Sequence, residues 1–381
     1  MRERGTRRGQ AVEDLCRWAH ILLPCEAGNG RIGREPARCG AVEVLGWVVV
    51  TIIVTGGAGY IGAHVVQALA ASGRDVAVVD DLSTSSAARV DGHPLHLLDL
   101  AAPGAPDELA RVLTEHRATG IVHLAAKKQV GESVARPEWY FRQNVGGLGS
   151  VLEAARAVGC DRLVFSSSAA VYGEPTGGLV TEETPANPIN PYGQTKAVGE
   201  WMIRDAARAW GLRQVALRYF NVAGAGRPDL GDPAVLNLMT LVLDRLERGE
   251  APVIFGDDYP TPDGTCVRDY VHVADLADAH VAALDHLDRE ERSDTFDVGS
   301  GRGVSVAQML DAISAATGTT LAPRVVERRP GDPAVLVATA ERIRAELGWE
   351  PRRGLDEIVA SAWEAWRAQR AAGLDPIRPT A

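Results

Sequence analysis

The sequence predicts an α/β fold: a doubly wound parallel sheet joined to a smaller, interleaved C-terminal domain. Three observations carry that prediction. A β-branched run, Thr51-Ile52-Ile53-Val54-Thr55, stops at glycines spaced Gly56-x-x-Gly59-x-x-Gly62, and an apolar helical pattern (Ile61, Val65, Val66, Leu69) follows. The next apolar run ends in a carboxylate, Asp80, 18 residues after Gly62. Strand-like and helix-like segments then alternate to about residue 220, and repeated βα units of this length imply a parallel sheet with helices on both faces.

The opening strand and its turn have the physics of a dinucleotide site. Glycines let the backbone bend sharply and approach a pyrophosphate, whose charge sits at the N-terminus of the following helix. Such triplets also occur in ordinary turns. The support for binding is Asp80, because an acid near this offset accepts the adenosine ribose hydroxyls. Further strands are expected at 77–80, 95–98, 120–126, 162–166 and 214–220, and helices at 108–116, 139–157 and 192–210. Polar residues gather at the carboxyl ends of these strands, where ligands of such sheets sit: Asp80-Asp81, Asp99, Lys127-Lys128, Ser166-Ser167-Ser168 and Asn221.

After Asn221 the texture shifts to Gly, Pro and Asp, then a helix at 235–248, a loop at 256–264 and a strand at 267–272. A helix at 273–287 and a strand at 295–298 would return to the main sheet, followed by a helix at 304–317, an extended stretch at 322–326 and a short helix at 341–347. The expected division is therefore a dinucleotide-binding Rossmann domain over 49–221 and 266–298, and a substrate domain over 222–265 and 299–371. Residues 1–48 stand apart: Arg2, Arg4, Arg7 and Arg8 open the chain, and only 13–23 could form a helix. This stretch lacks the apolar core and cleavage site of a secretory signal. It is expected to be a disordered extension or an over-extended reading frame with the true start near Val48.

Composition narrows the function. Of 381 residues, 46% are hydrophobic and 24% charged, and 40 Lys and Arg against 50 Asp and Glu give a net charge of -10. An acidic surface repels polyanions, which argues against nucleic acid. The apolar run at 44–54 contains Gly46 and is too short to span a bilayer. Five cysteines (Cys16, Cys25, Cys39, Cys160, Cys266) form no C-x-x-C pair and no zinc spacing. They suit a reducing cytoplasm, and no metal site is expected.

Tyr192-Gly193-Gln194-Thr195-Lys196 carries the chemistry. Tyr and Lys at i and i+4 share a helix face. A nearby ammonium is expected to favour the phenolate and make Tyr192 a general base for a sugar or alcohol hydroxyl. Alone, this spacing is equally that of an exposed aromatic beside a solvated lysine. Ser168, at a strand end 24 residues upstream, offers a hydroxyl to the reacting oxygen. With the glycine turn and Asp80 in the same chain, the joint pattern points to an enzyme.

These residues resemble the extended short-chain dehydrogenase/reductases and, more narrowly, the UDP-glucose 4-epimerase family. The shared motifs are residues 55–62, Gly131-Glu132-Ser133, residues 166–173, Pro191-Tyr192-Gly193, Leu217-Arg218-Tyr219-Phe220-Asn221 and residues 255–270. The similarity runs from about residue 49 to 366. It implies NAD-dependent epimerisation at C4 of a UDP-hexose, interconverting UDP-galactose and UDP-glucose through a 4-keto intermediate, as in galactose metabolism. By the same resemblance Tyr192 is the base, Lys196 tunes it and holds the nicotinamide ribose, and Ser168 bonds the sugar oxygen. Contacts to NAD fall to Gly56, Gly59, Tyr60, Ile61, Gly62, Asp80, Asp81, Asp99, Leu100, Leu124, Ala125, Ala126, Lys128, Asn144 and Phe220, and to Ser168, Tyr192 and Lys196 themselves. The UDP-sugar falls to Asn221, Asn237, Leu238, Phe255, Arg268, Tyr270, Arg329, Asp332 and Leu336. Arg268 and Arg329 could form a cationic clamp on the diphosphate, or simply surface ion pairs. The family also implies a homodimer through helices such as 139–157 and 196–210.

Departures and rivals follow from single residues. Asp81, Thr240 and Cys266 stand where the epimerases often carry Asn, Pro and Gly. Leu336 occupies a position that is tyrosine in hexose-restricted members, so turnover of a UDP-N-acetylhexosamine is the alternative, along with other nucleotide sugars. A 4,6-dehydratase needs an Asp-Glu pair after the strand-end hydroxyl, whereas Ser168 is followed by Ala169-Ala170. A 4-ketoreductase should release its dinucleotide and tends to use NADPH, against which the Asp80 carboxylate would repel a 2′-phosphate. A dinucleotide-sensing protein without catalysis has no need of Ser168, Tyr192 and Lys196 together.

Overall fold

The computed structural model describes residues 50–290, 292–329 and 331–378. The expectations for the N-terminal stretch, including a helix at 13–23 and a start near Val48, lie outside the described residues. Seven strands form a wholly parallel sheet in the order β11-β7-β5-β4-β1-β2-β3. They are β1 (Thr51–Thr55), β2 (Asp75–Asp80), β3 (Leu95–Leu97), β4 (Ala118–His123), β5 (Arg162–Ser168), β7 (Arg213–Tyr219) and β11 (Asp294–Val298). The order reverses between β1 and β4, and that switch point opens a crevice at the strand ends.

Alternation along β1 shows the layering. Ile52 and Val54 face a core with Val65, Val66 and Leu69 of the helix Tyr60–Ala71, and with Leu276 and Leu284 of the helix Val273–Arg289. Ile53 faces the other core, with Leu109 and Leu113 of Ala105–Glu115, Leu148 and Val151 of Gly147–Val158, and Ile203 of Pro191–Trp210. Every β1 residue is buried, as a strand covered on both faces requires.

A smaller sheet joins segments far apart in sequence. Its order is β12-β10-β14-β6, with β8 (Asn221–Ala223) also paired to β10 (Val267–His272). Here β6 is Leu179–Val180, β12 Gly303–Ser305 and β14 Val335–Ala338, while β9 (Val253–Phe255) pairs with β13 (Arg324–Val326). This corrects the expected division at one place. Residues 267–272 were assigned to the Rossmann domain, yet β10 finds its partners in the smaller sheet; only the following helix and β11 return to the large one. The helix expected at 235–248 is Leu238–Glu247, its start fixed by the Asn237 side chain capping Thr240. The helix expected at 139–157 is interrupted by a π turn, Phe141–Gly146, between Pro137–Tyr140 and Gly147–Val158. A final helix, Leu355–Ala371, packs on the smaller domain through Ile358, Val359 and Trp366. Among the described residues, no helix is long and apolar enough to cross a membrane.

Candidate active site

The glycine turn is shaped by close approach. Gly56 has φ +72, and a Cβ there would lie 2.6 Å from the Ala125 nitrogen; at Gly62 it would lie 2.1 Å from the Gly56 carbonyl oxygen. Both positions therefore exclude a side chain. The helix that follows begins at Tyr60 with no side-chain cap and no acid in its first turn. Its free N–H groups and positive end suit an anion. Asp80 closes the other side. Its carboxylate accepts from Ala58 N (3.0 Å), Leu82 N (2.8 Å) and Ser85 Oγ (3.1 Å). A carboxylate has about four acceptor positions, so one is left for a ribose hydroxyl. These residues fit NAD. Arg89, the nearby cation that a 2′-phosphate would need, donates instead to the carbonyls of Ala58, Gly231 and Leu230.

A cleft of about 400 Å³ runs from this turn to Tyr192 and Lys196. Gly56, Gly59, Tyr60, Ile61, Gly62, Asp80, Asp81, Asp99, Leu100, Leu124, Ala125, Ala126 and Lys128 line it. Asn144, Ser168 and Phe220 stand behind that lining, each buried. Asn144 sits in the π turn, where its side chain accepts from Lys127 N (2.8 Å) and donates to Lys127 O and Thr195 Oγ1 (both 3.0 Å). It thus ties the β4 exit to the helix Pro191–Trp210. Lys127, named above only as a strand-end residue, turns its ammonium to Asp81 (3.2 Å) and Ser83 (2.7 Å), and sequence reasoning missed the wall formed by Asp232, Pro233, Ala234 and Leu236. Backbone-lined walls leave no residue-type signal.

The helix Pro191–Trp210 starts on Asn190, whose side chain accepts from Gly193 N (2.9 Å), with Pro191 at its first position. Tyr192 and Lys196 follow one turn apart, 9% and 4% exposed. Ser168 ends β5, where its hydroxyl accepts from Ala170 N (3.2 Å) and lies near enough to Tyr192 to act on its titration. The electrostatics correct the expectation for this pair. Burial raises the Tyr192 pKa above its ordinary value, opposed by the nearby Ser168 hydroxyl, and Lys196 brings no lowering. The Lys196 ammonium donates to Ser166 O at 2.7 Å and lies 5.9 Å from the centre of the Tyr192 ring. Burial in turn lowers the Lys196 pKa to about 7. Desolvation has won over the helix-face attraction, because neither group has an opposite charge beside it.

The residues assigned to the UDP-sugar gather on the smaller sheets. Arg268 and Leu336 are neighbours in the β10–β14 register, and Tyr270 and Asn221 in that of β10 and β8. Arg268 donates to Pro333 O (2.7 Å) and pairs with Asp332 (3.5 Å). The Arg329 guanidinium stacks 3.8 Å from the centre of the Phe255 ring. Asn237 donates to Asp232, on the cleft wall, at 2.8 Å, and Leu238 begins the helix behind it. Leu336 packs on the cluster that holds Ala169 and Phe220, linking this group to the Ser168 strand end.

Comparison with known proteins agrees with this geometry. Residues 52–299 match the NAD dependent epimerase/dehydratase family. The chain is 46% identical over 321 residues to the UDP-glucose 4-epimerase of Azospirillum brasilense, covering 82% of this chain and 91% of that protein. It is 44% identical over 329 residues to that of Streptomyces lividans, covering 85% and 98%. Among solved structures it resembles the UDP-glucose 4-epimerase of Stenotrophomonas maltophila with bound NAD and formylated UDP-arabinopyranose (TM-score 0.81, 38% identity, 85% and 99% of the two chains). It also resembles the UDP-Glc/GlcNAc 4-epimerase of Campylobacter jejuni (TM-score 0.74, 34% identity, 84% and 99%). With its glycine turn, its Asp80 and its Ser168-Tyr192-Lys196 constellation, the chain belongs to the NAD dependent epimerase/dehydratase family.

Proposed function

We propose that this protein interconverts UDP-galactose and UDP-glucose by inverting C4 of the hexose, with NAD held through the cycle. The observation that carries the reading is the cleft itself, which joins the glycine turn at one end to the buried Tyr192 and Lys196 at the other. When bound, NAD supplies a hydride acceptor and a cationic ring. Tyr192 Oη takes the 4-hydroxyl proton and returns it, and Ser168 Oγ orients the sugar oxygen. Lys196 Nζ, held by the Ser166 carbonyl, is placed to bond a ribose hydroxyl. Arg268, Arg329 and the capped Asn237 hold the nucleotide diphosphate, which leaves the hexose free to present either face.

Ala169 and Ala170 after Ser168 offer no acid or base for elimination, which disfavours dehydration. One observation favours a broader substrate range: Leu336, next to Arg268, is shorter than a tyrosine and half-buried against the Phe220 cluster. UDP-N-acetylhexosamine turnover is therefore part of the reading. We also expect a cytoplasmic homodimer: Trp201 is 56% exposed on the catalytic helix, and Cys160 and Cys266 are free thiols.

The test is an NMR time course with UDP-galactose and no added cofactor. Conversion to an equilibrium mixture with UDP-glucose supports epimerisation with retained NAD. Absence of conversion after adding NAD would overturn the assignment. Light scattering reads the dimer, and UDP-GlcNAc as substrate tests the Leu336 argument.

A further inference from the structure

The wall that closes the cleft opposite the glycine turn is a loop, not a secondary-structure element. Pro233 and Ala234 line the cleft from this loop, and Asp232 and Leu236 flank them. On one side Arg89 clamps it, joining Gly231 O and Leu230 O to Ala58 O of the glycine turn. On the other side it is held by the last described residues of the chain. Ile377 N donates to Pro233 O (2.8 Å) and Val235 N donates to Ile377 O (2.9 Å), a single parallel bridge at Ala234. One residue on, the Arg378 guanidinium grips Asp244 through Nε (3.0 Å) and Nη2 (2.9 Å). The Asp244 side chain is only 3% exposed and also receives Arg248 (3.0 Å). Ile377 and Arg378 themselves reach the lining of the cleft.

We infer that the segment Pro376–Arg378 is a buttress of the dinucleotide site, with Ile377 and Arg378 as positioning residues that keep the wall at 231–236 closed over bound NAD. The inference rests on the reading that NAD stays bound between turnovers. The wall has no sheet or helix of its own; its ends are also anchored by Gln369, which donates to Gly231 O (3.0 Å), by Leu236 N on Thr240 Oγ1 (3.2 Å) and by the buried Val235, which leaves Pro233 O to the Ile377 bridge. Arg89 fixes one end of the wall to the glycine turn; the buttress fixes its middle to the buried Asp244. Releasing the buttress loosens Pro233 and Ala234, the part of the wall between those anchors, and opens an exit. The buttress touches neither Tyr192 nor Ser168, so its loss acts on cofactor retention and not on proton transfer.

The experiment compares the full-length chain with a variant ending at Asp375 and with Ile377→Pro, which deletes the N–H donated to Pro233 and leaves Arg378 in place. Each is purified without added NAD, and NAD content, NAD release rate and kcat at saturating NAD are measured. The expected result is roughly tenfold faster NAD release in both variants, as loss of a hydrogen bond or two implies, with kcat restored when NAD is saturating. Release rates equal to that of the full-length chain would overturn the inference. So would a kcat that saturating NAD does not restore, because that marks general damage to the fold. A full-length chain that neither retains NAD nor responds to it would overturn the inference by removing the reading beneath it, and the two failures are thereby told apart.

Discussion

Two buried cations, Arg218 on a strand and Lys196 on the helix beside it, meet opposite fates. Arg218, near the end of β7, lies in a network sealed beneath the cleft. Its guanidinium binds Glu200 twice (Nε 2.8 Å, Nη2 2.6 Å) and donates to the Tyr172 hydroxyl (2.9 Å). Burial works against its charge, yet the Glu200 hydrogen bonds and charge outweigh that and raise its pKa. Lys196, on the cleft side, has a carbonyl for its partner, and burial takes its pKa down to about 7. Glu200 is four residues after Lys196 on the same helix, but its carboxylate is committed to Arg218 and Ser167. The difference teaches that one helix can lock one cation and leave the next labile, solely by where it aims a single carboxylate. The locked pair fixes the frame; the labile one is left to respond to what binds.

The largest expected effect tests the labile side. Tyr192→Phe should lower epimerisation by about 10³-fold, the range for a lost general base, with NAD content unchanged. A residual rate within tenfold of wild type would show that the proton moves elsewhere. On the locked side, Glu200→Ala strands a buried guanidinium. It should cost about 3–5 kcal/mol in denaturant unfolding; a cost under about 1 kcal/mol would mean the pair is no frame.

A titration sharpens the contrast further. An unfolded lysine holds its proton to about pH 10.4, whereas folded Lys196 releases it near 7. Between these values the unfolded chain binds more protons, so stability rises with pH. Relative to Lys196→Met, the cofactor-free protein should gain up to about 1.4 kcal/mol per pH unit above pH 7. A flat difference would return Lys196 to the locked class. The smallest effect concerns a third cation, the exposed Arg329 stacked on Phe255. Arg329→Ala should raise KM for the UDP-sugar about tenfold with little change in kcat, the pattern of lost uniform binding.

What the sequence made legible follows the same line. The glycine turn, Asp80 and the Tyr192-Lys196 spacing were readable because each depends on residue type at a fixed offset. Element boundaries in the parallel sheet were readable to within a few residues for a similar reason, since buried β-branched runs end where polar ligand-facing residues begin. The lability of Lys196 was not, because its partner is the Ser166 carbonyl and every residue carries a carbonyl. The two-residue strand Leu179–Val180 was equally silent: it pairs with Val337–Ala338, far away in sequence, and is too short to show a period. The placement of β10 failed for the same cause, as its apolar run suits either sheet and only its partners decide.

The π turn at Phe141–Gly146 has a consequence of a different kind. Each helical residue turns the chain by about 100°, and a π turn accommodates one residue beyond ordinary winding. Deleting any one residue of this stretch would leave a smoother helix, but would rotate one side of it against the other. Asn144, which joins Lys127 to Thr195, would swing off one partner or both. At this point of the gene, inheritance has to preserve the number of codons as strictly as their meaning.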